Sequence, residues 1–261
     1  MPKFVLFLFL LFASLSLRAQ TWEVGGSVGG SGYMGDLNPN NPLKISGIAL
    51  GAFVQRNFDG YFAAKFKYTF GHIGAADSTS SNQQFRQRNL SFSTLLNEVS
   101  AVCEFNFFKY IPEAGRNKWT PFIYVGVGAI AYSPKADYQG QSYDLRSLTT
   151  EGESKPYSKI AISIPYGAGF KYNFSGKWSV IADIGYRNPT TDYLDDVSGV
   201  YPVKAKLPNN LSKALSDRSG ENTDVYIGSP GTQRGDGRPK DTYMFVNISI
   251  SFTFVTSKCY Y

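Results

Sequence analysis

The end of the chain alternates between apolar and polar positions. In "TYMFVNISISFTFV", Met244, Val246, Ile248, Ile250, Phe252 and Phe254 share one face. Tyr243, Phe245, Asn247, Ser249, Ser251 and Thr253 share the other. One face is wholly apolar and the other mostly polar, which predicts a strand of period two. The same pattern recurs upstream. "IAISIPYGAGFKYNF" sets Ile160, Ile162, Ile164, Tyr166, Ala168, Phe170, Tyr172 and Phe174 against Ser163, Lys171, Asn173 and two glycines. After "SGK", "WSVIADIGYR" opposes Trp178, Val180, Ala182, Ile184 and Tyr186 to Ser179, Asp183 and Arg187, so the two runs read as a tight hairpin. "YFAAKFKYTFG" and "LNEVSAVCEFNFF" carry Lys65, Lys67, Glu98 and Glu104 on their polar faces. Residues 119–133, 45–57 and the Gly-rich 22–34 are weaker versions.

Eight strands are therefore expected, near 22–34, 44–57, 61–75, 91–108, 119–133, 159–174, 178–188 and 241–254. Their connections alternate in length. Short turns, "FDG", "KYIPEAGRNK" and "SGK", follow the even strands; the long segments 35–43, 76–90, 134–158 and 189–240 follow the odd ones. A transmembrane barrel has short periplasmic turns, long outer loops and an even strand count. A soluble sandwich has no reason to keep that parity. The fold expected is all-β: an eight-stranded antiparallel up-and-down transmembrane β-barrel with long extracellular loops and both termini periplasmic.

The polar face supports this reading. Lys65, Lys67, Glu98, Glu104, Asp183 and Arg187 would each cost several kcal/mol in hydrocarbon. All six lie opposite the apolar face, as a paired lumen network would. Eight strands enclose only enough room for side chains, so a plug is expected and not a pore. Trp22, Trp119 and Trp178 begin strands on the same proposed side, which fits an interfacial girdle. The competing architecture is a soluble lipocalin-like barrel or sandwich that buries the apolar face and exposes the charged one.

Composition changes the picture at the ends. "MPKFVLFLFLLFASLSLRAQ" reads as a secretory signal peptide over residues 1–19, since its apolar run of about 14 residues is shorter than the ~20 a membrane helix needs. The barrel domain is then 20–255 and the periplasmic tail 256–261. Without Lys3 and Arg18, the 26 basic residues fall to 24 against 20 acidic, a net of +4. The charges are scattered, and no nucleic-acid partner is expected. Cys103 and Cys259 are too few for a disulfide framework and are read as unpaired thiols.

Little of the sequence suggests catalysis. His72 is the only imidazole, which excludes a multi-His metal site and makes His72 the required base of any Ser/His barrel hydrolase acting on lipid. No catalytic residue and no cofactor is expected. "NPTTDYLDDVSGVY" packs Asp192, Asp195 and Asp196 closely. Ca²⁺ takes hard oxygens, but the spacing is not that of an EF-hand. Turns, caps or pinning of the 189–240 loop are the roles expected of these aspartates. "LPNNLSKALSDRSG" places Leu211, Ala214 and Leu215 at helical spacing. "RGD" at 234–236 sits in a Gly/Pro-rich segment that reads as a mobile loop.

"LLNEVSAVCEFNFFKYIP", "NPTTDYLDDVSGVY" and "GSPGTQRGDGRPKDTYMF" together resemble the PorG-like outer-membrane barrel proteins of Bacteroidetes. The resemblance runs from Trp22 to Phe254, and "TDYLDDVSGVY" is its most specific part. It implies a component of the type IX secretion system, which exports proteins and serves gliding in some species. It also implies association with a periplasmic ring formed by a lipoprotein and its partner, beside contact with outer-membrane lipid. The family brings no catalytic residues. A barrel this narrow would anchor or assemble the ring, and its small periplasmic surface makes Lys109, Tyr110, Arg116 and Lys118 the candidate contacts. A general structural or adhesive barrel of the OmpA type is the alternative reading.

Overall fold

The structure is a computed structural model that describes residues 21–112 and 117–255. The expected leader, Arg116, Cys259 and the expected tail 256–261 lie outside the described residues. The strands in chain order are β1 (Thr21–Met34), β2 (Ile45–Asn57), β3 (Phe62–Ala76), β4 (Ser91–Asn106), β5 (Trp119–Tyr138), β6 (Gln141–Asp144), β7 (Ile160–Ser175), β8 (Trp178–Pro189) and β9 (Thr242–Val255). Short helices lie in the long connections: α1 (Gln83–Arg88), α2 (Asn210–Ser216) and α3 (Gly220–Thr223).

Eight of these strands close into a ring. Sequence neighbours pair antiparallel through β1, β2, β3, β4 and β5, then β7, β8 and β9, and β9 pairs back onto β1 from Thr21↔Val255 to Met34↔Thr242. β6 stands outside the ring and pairs only with the end of β5. The ring has no free edge, which is the condition for strands to cross hydrocarbon. Short turns collect at one end of the barrel and long connections at the other.

The two faces sort as period two dictates. Outward-pointing Val28, Ile48, Ile162 and Ile248 are 58–68% exposed, whereas inward-pointing Glu23, Glu98, Lys171 and Arg187 are at most 2% exposed. In water this arrangement would wet a continuous apolar belt far larger than soluble proteins expose. The soluble lipocalin-like reading is thereby corrected, because it requires the opposite sorting. The protein is an eight-stranded transmembrane β-barrel.

At the turn end Trp22, Trp119 and Trp178 point outward, each about half exposed. Trp119 stacks on Phe170 at 5.4 Å and meets Phe108 edge-on at 4.9 Å; Trp178 meets Phe252 at 5.0 Å. Amphipathic rings gathered at one level suit a headgroup interface. Inside, the Gly-rich strands make room for rings that cross the lumen. A Cβ on Gly169 would lie 2.6 Å from the Phe122 ring, so this position requires close approach.

Two differences from the sequence expectation lie beyond the ring. β5 continues to Tyr138 and forms a hairpin with β6 through Gln139 and Gly140, both at positive φ (50° and 79°). That is the geometry of a two-residue I′ turn, carried here by Gln-Gly instead of the more readable Asn-Gly. α1 also forms inside 76–90, with the Asn82 side chain accepting from Gln84 N–H and Asn89 in the left-handed region at its end. The expected helix around Leu211 is α2, capped by Asn209.

The lipid face generates a direct expectation. Ile248→Arg, in the middle of β9, should cost about 2–4 kcal/mol of folding free energy in vesicles, and the protein should show heat-modifiable gel mobility. Unchanged stability on charging this position would contradict the membrane assignment.

Candidate functional site

Two polar assemblies occupy the barrel. The first is in the lumen. Glu104 on β4 accepts from Lys65 on β3 and from Lys171 on β7, the latter at 2.5 Å. Lys65 also lies over the Phe53 ring and Lys171 over the Phe122 ring, each at 4.7 Å. Nearer the loop end, Glu98 takes Arg187 Nε at 3.3 Å and the Tyr243 hydroxyl at 2.6 Å. Arg187 lies 4.6 Å over Phe245. Asp183 accepts from Asn247 at 3.2 Å and shares its layer with Lys67. With Glu23, the strands thus bring Lys65, Lys67, Lys171 and Arg187 against Glu23, Glu98, Glu104 and Asp183, an even balance of charge. The six residues expected in this network share the lumen. Glu23 and Lys171 were missing from that set. Strand parity signals both, but Glu23 lies in the least readable strand.

The second assembly is a cap of folded loops. Its apolar cluster joins upper lumen residues (Ile73, Leu96, Ile130) to loop residues (Leu37, Leu145, Leu194, Leu215). Two arginines tie the loops together. Arg88 holds Asp77 through two bonds of 2.7 and 2.8 Å and donates to the carbonyls of Asp36 and Arg234. Arg234 donates to Glu151, to the Asp196 carbonyl and to the Ser216 carbonyl. Arg234 is 3% exposed. This corrects the mobile-loop reading of "RGD": its arginine is a buried strut and is not available to a receptor. Beneath α1 lies a cavity of about 450 Å³ lined by Phe85, Arg88, Tyr201, Ile227 and Gln233 among others.

The structure sends Asp192, Asp195 and Asp196 to different partners. Asp195 accepts from Tyr33 and from Val197 N–H. Asp196, in the left-handed region at φ 67°, turns away and accepts from Thr150 at 2.5 Å and Tyr157 at 2.7 Å. Tyr157 in turn stacks on Tyr193 at 4.4 Å. Asp192 accepts from Ser198 at 2.8 Å. One oxygen of Asp192 joins one each of Asp36 and Asp241, all within 4.8 Å of one another. Asp192, Asp195 and Asp196 are therefore not gathered at one point, and the carboxylates that do converge are Asp36, Asp192 and Asp241, which no local spacing reveals. Burial pushes Asp36 up to about 7 and Asp192 up to about 6. It raises Asp195 and Asp241 well above the carboxylate range, with neighbouring acids adding to the effect. Asp196 is pushed up to about 7 by burial, against the pull of Arg234 and its two hydroxyl donors.

His72 Nε2 lies 2.8 Å from Ser93 Oγ on the outward face near the loop end. No carboxylate among the described residues is hydrogen-bonded to the imidazole, so the pair lacks the orienting third group of a triad. Cys103 is a free thiol on the outward face of β4. At the turn end Lys109 and Lys118 are exposed. Tyr110 leaves that surface: it is 4% exposed and its hydroxyl bonds Ser179 at 2.6 Å, closing the floor of the lumen. Its place among the partner contacts is corrected accordingly.

Residues 2–228 match the family described as Domain of unknown function (DUF6089), and the chain belongs to that family. No protein of curated function matches the sequence. Among solved structures the chain is similar to Ail, the attachment invasion locus protein of Yersinia pestis, seen with the heparin analogue sucrose octasulfate. Identity is 9%, covering 91% of this chain and 100% of that one, with a TM-score of 0.42. It is similar to the outer membrane protein OprG of Pseudomonas aeruginosa at 8% identity, 91% and 96% coverage and a TM-score of 0.40. The outer membrane enzyme PagL gives 11% identity, 88% and 98% coverage and a TM-score of 0.34. These likenesses carry no activity or ligand to this chain.

Two expectations follow from the polar assemblies. Glu104→Gln leaves Lys65 and Lys171 without their shared counter-charge and should destabilise the barrel by about 3–5 kcal/mol, read from denaturant-induced unfolding in vesicles. Asp196 has a raised folded pKa, so its contribution is complete below the unfolded value near 4 and is lost as pH climbs through about 7. Asp196→Asn, which stays neutral, should protect the cap more than wild type does by an increasing margin from pH 5 to 8. Hydrogen exchange over 190–201 measures this, and a margin that shrinks with pH would contradict the assignment.

Proposed function

We propose that this barrel is a non-enzymatic outer-membrane component of the type IX protein secretion machinery, and of gliding where that machinery serves it. In this reading it anchors or assembles the periplasmic ring and is not the conduit. The observation that carries the proposal is the filled interior. Charge-paired layers occupy the lumen, Tyr110 lies at its floor and the cap core continues into its mouth. A barrel so occupied suits a fixed platform better than a passage for protein. The likeness of "TDYLDDVSGVY" to PorG-like barrels supplies the choice of machinery. The ring lipoprotein and its partner would meet the turn end, where Lys109, Lys118 and Lys177 stand exposed.

A second reading rests on the opposite end. Among the described residues the long connections gather into the folded cap, which fits a general structural or adhesive barrel acting through its outer loops. The lipid-hydrolase reading would need the His72–Ser93 pair, and the missing orienting carboxylate counts against it. His72→Ala should leave function intact.

The test is affinity capture from detergent-extracted outer membrane. Charge reversal at Lys109, Arg116 and Lys118 should lower ring recovery several-fold while heat-modifiable mobility is kept. Undiminished recovery would overturn the turn-end contact. Normal secretion after deletion of the gene would favour the second reading.

A further inference from the structure

We propose that the cap binds a divalent cation of the hard, oxygen-seeking class, with Ca²⁺ as its first candidate, between Asp36, Asp192 and Asp241. The proposal is independent of the secretion reading. The three carboxylates come from separate parts of the chain. Asp36 lies in the β1–β2 connection, Asp192 just after β8 and Asp241 immediately before β9. One oxygen from each lies within 4.8 Å of the others, a span that a single ion can bridge at ordinary metal–oxygen distances.

The surrounding charges do not neutralise this group. The nearby arginines are committed elsewhere: Arg88 to Asp77 and two carbonyls, Arg234 to Glu151 and two carbonyls. None of the three carboxylates forms a salt bridge among the described residues. Asp195 and Asp236 place two further carboxyl groups beside them. Buried like charges at this spacing need protons or a cation.

Asp36 supplies an independent pointer to a ligand. It is 1% exposed, and its Oδ1 accepts the Asp236 backbone N–H. Its Oδ2 is buried without a hydrogen-bond partner. An ionised oxygen left in that state is costly, and a metal ion satisfies it directly. The other two carboxylates are already oriented by donors. Leu194 N–H holds Asp241, which also lies 3.1 Å from the Tyr33 hydroxyl, and the Ser198 hydroxyl holds Asp192. Such outer contacts fix ligands without occupying every lone pair. The donor set is all oxygen, with no imidazole or thiolate, which selects Ca²⁺ or Mg²⁺ over zinc or copper.

Bound there, the ion would join both ends of the 189–240 loop to the β1–β2 loop. It would act as a clamp on the mouth of the barrel.

The experiment uses the full chain in detergent micelles, stripped with EDTA and titrated with Ca²⁺ and with Tb³⁺. Tb³⁺ emission excited through tyrosine should saturate and be displaced by Ca²⁺. Hydrogen exchange over 35–44 and 189–201 should slow at least tenfold with Ca²⁺. Asp192→Asn should abolish both responses while heat-modifiable mobility is retained. Absence of any Ca²⁺ or Tb³⁺ response in the wild-type protein would overturn the proposal without recourse to a variant. So would wild-type cap protection that is indifferent to Ca²⁺ while Asp36→Asn or Asp192→Asn raises it under EDTA, since protons alone would then balance the cluster.

Discussion

A strand in hydrocarbon can satisfy its backbone N–H and C=O groups only through another strand. The seam between β1 and β9 meets that requirement for this chain. Without it, both strands would present open edges to lipid and no other feature would hold. Closure also fixes which side of every strand faces inward. From that follow the apolar belt outside, the ion layers inside and the gathering of long loops at one end.

The interior illustrates how narrow barrels use charge. A buried ion pair is weak evidence for stability, because desolvation consumes much of the attraction. Here Glu104 receives two lysines and those lysines lie over Phe53 and Phe122. Glu98 similarly receives Arg187 and Tyr243 from two further strands. Each acid therefore reaches across the lumen to a strand that is not its neighbour in the ring: Glu104 on β4 reaches β7, and Glu98 on β4 reaches β8 and β9. Moving one strand by a residue would turn its charged set toward lipid, so the network specifies register as well as filling space.

The cap follows different rules. Its loops are long enough that disorder would be the ordinary outcome. Arg88 and Arg234 prevent this by gathering carbonyls and carboxylates from four connections, and the apolar cluster beneath them continues into the barrel. The surplus of aspartates around Asp36 stands out against the lumen, where four cations face four carboxylates.

The barrel was legible in the sequence because period two is a local consequence of strand geometry, and connection parity follows from running up and down a ring. Val246, Ile248, Ile250 and Phe254 announced their outward face, and Lys65 or Glu104 their inward one, without knowledge of any neighbour, whereas Met244 on the same parity is buried. Glu23 was harder to read, since the glycines that follow it at 25, 26, 29 and 30 weaken the alternation of its strand. The cap was decided by tertiary structure. Asp192, Asp195 and Asp196 lie within five positions of one another, but a left-handed turn at Asp196 and the meeting of distant loops send them to different partners. Asp192 instead meets Asp36 and Asp241 because β1, β8 and β9 are neighbours in the closed ring, so their connections converge at one mouth. Tyr110 and Arg234 looked like surface residues for the same reason: only the folded chain shows which turn residues the lumen and the cap take in.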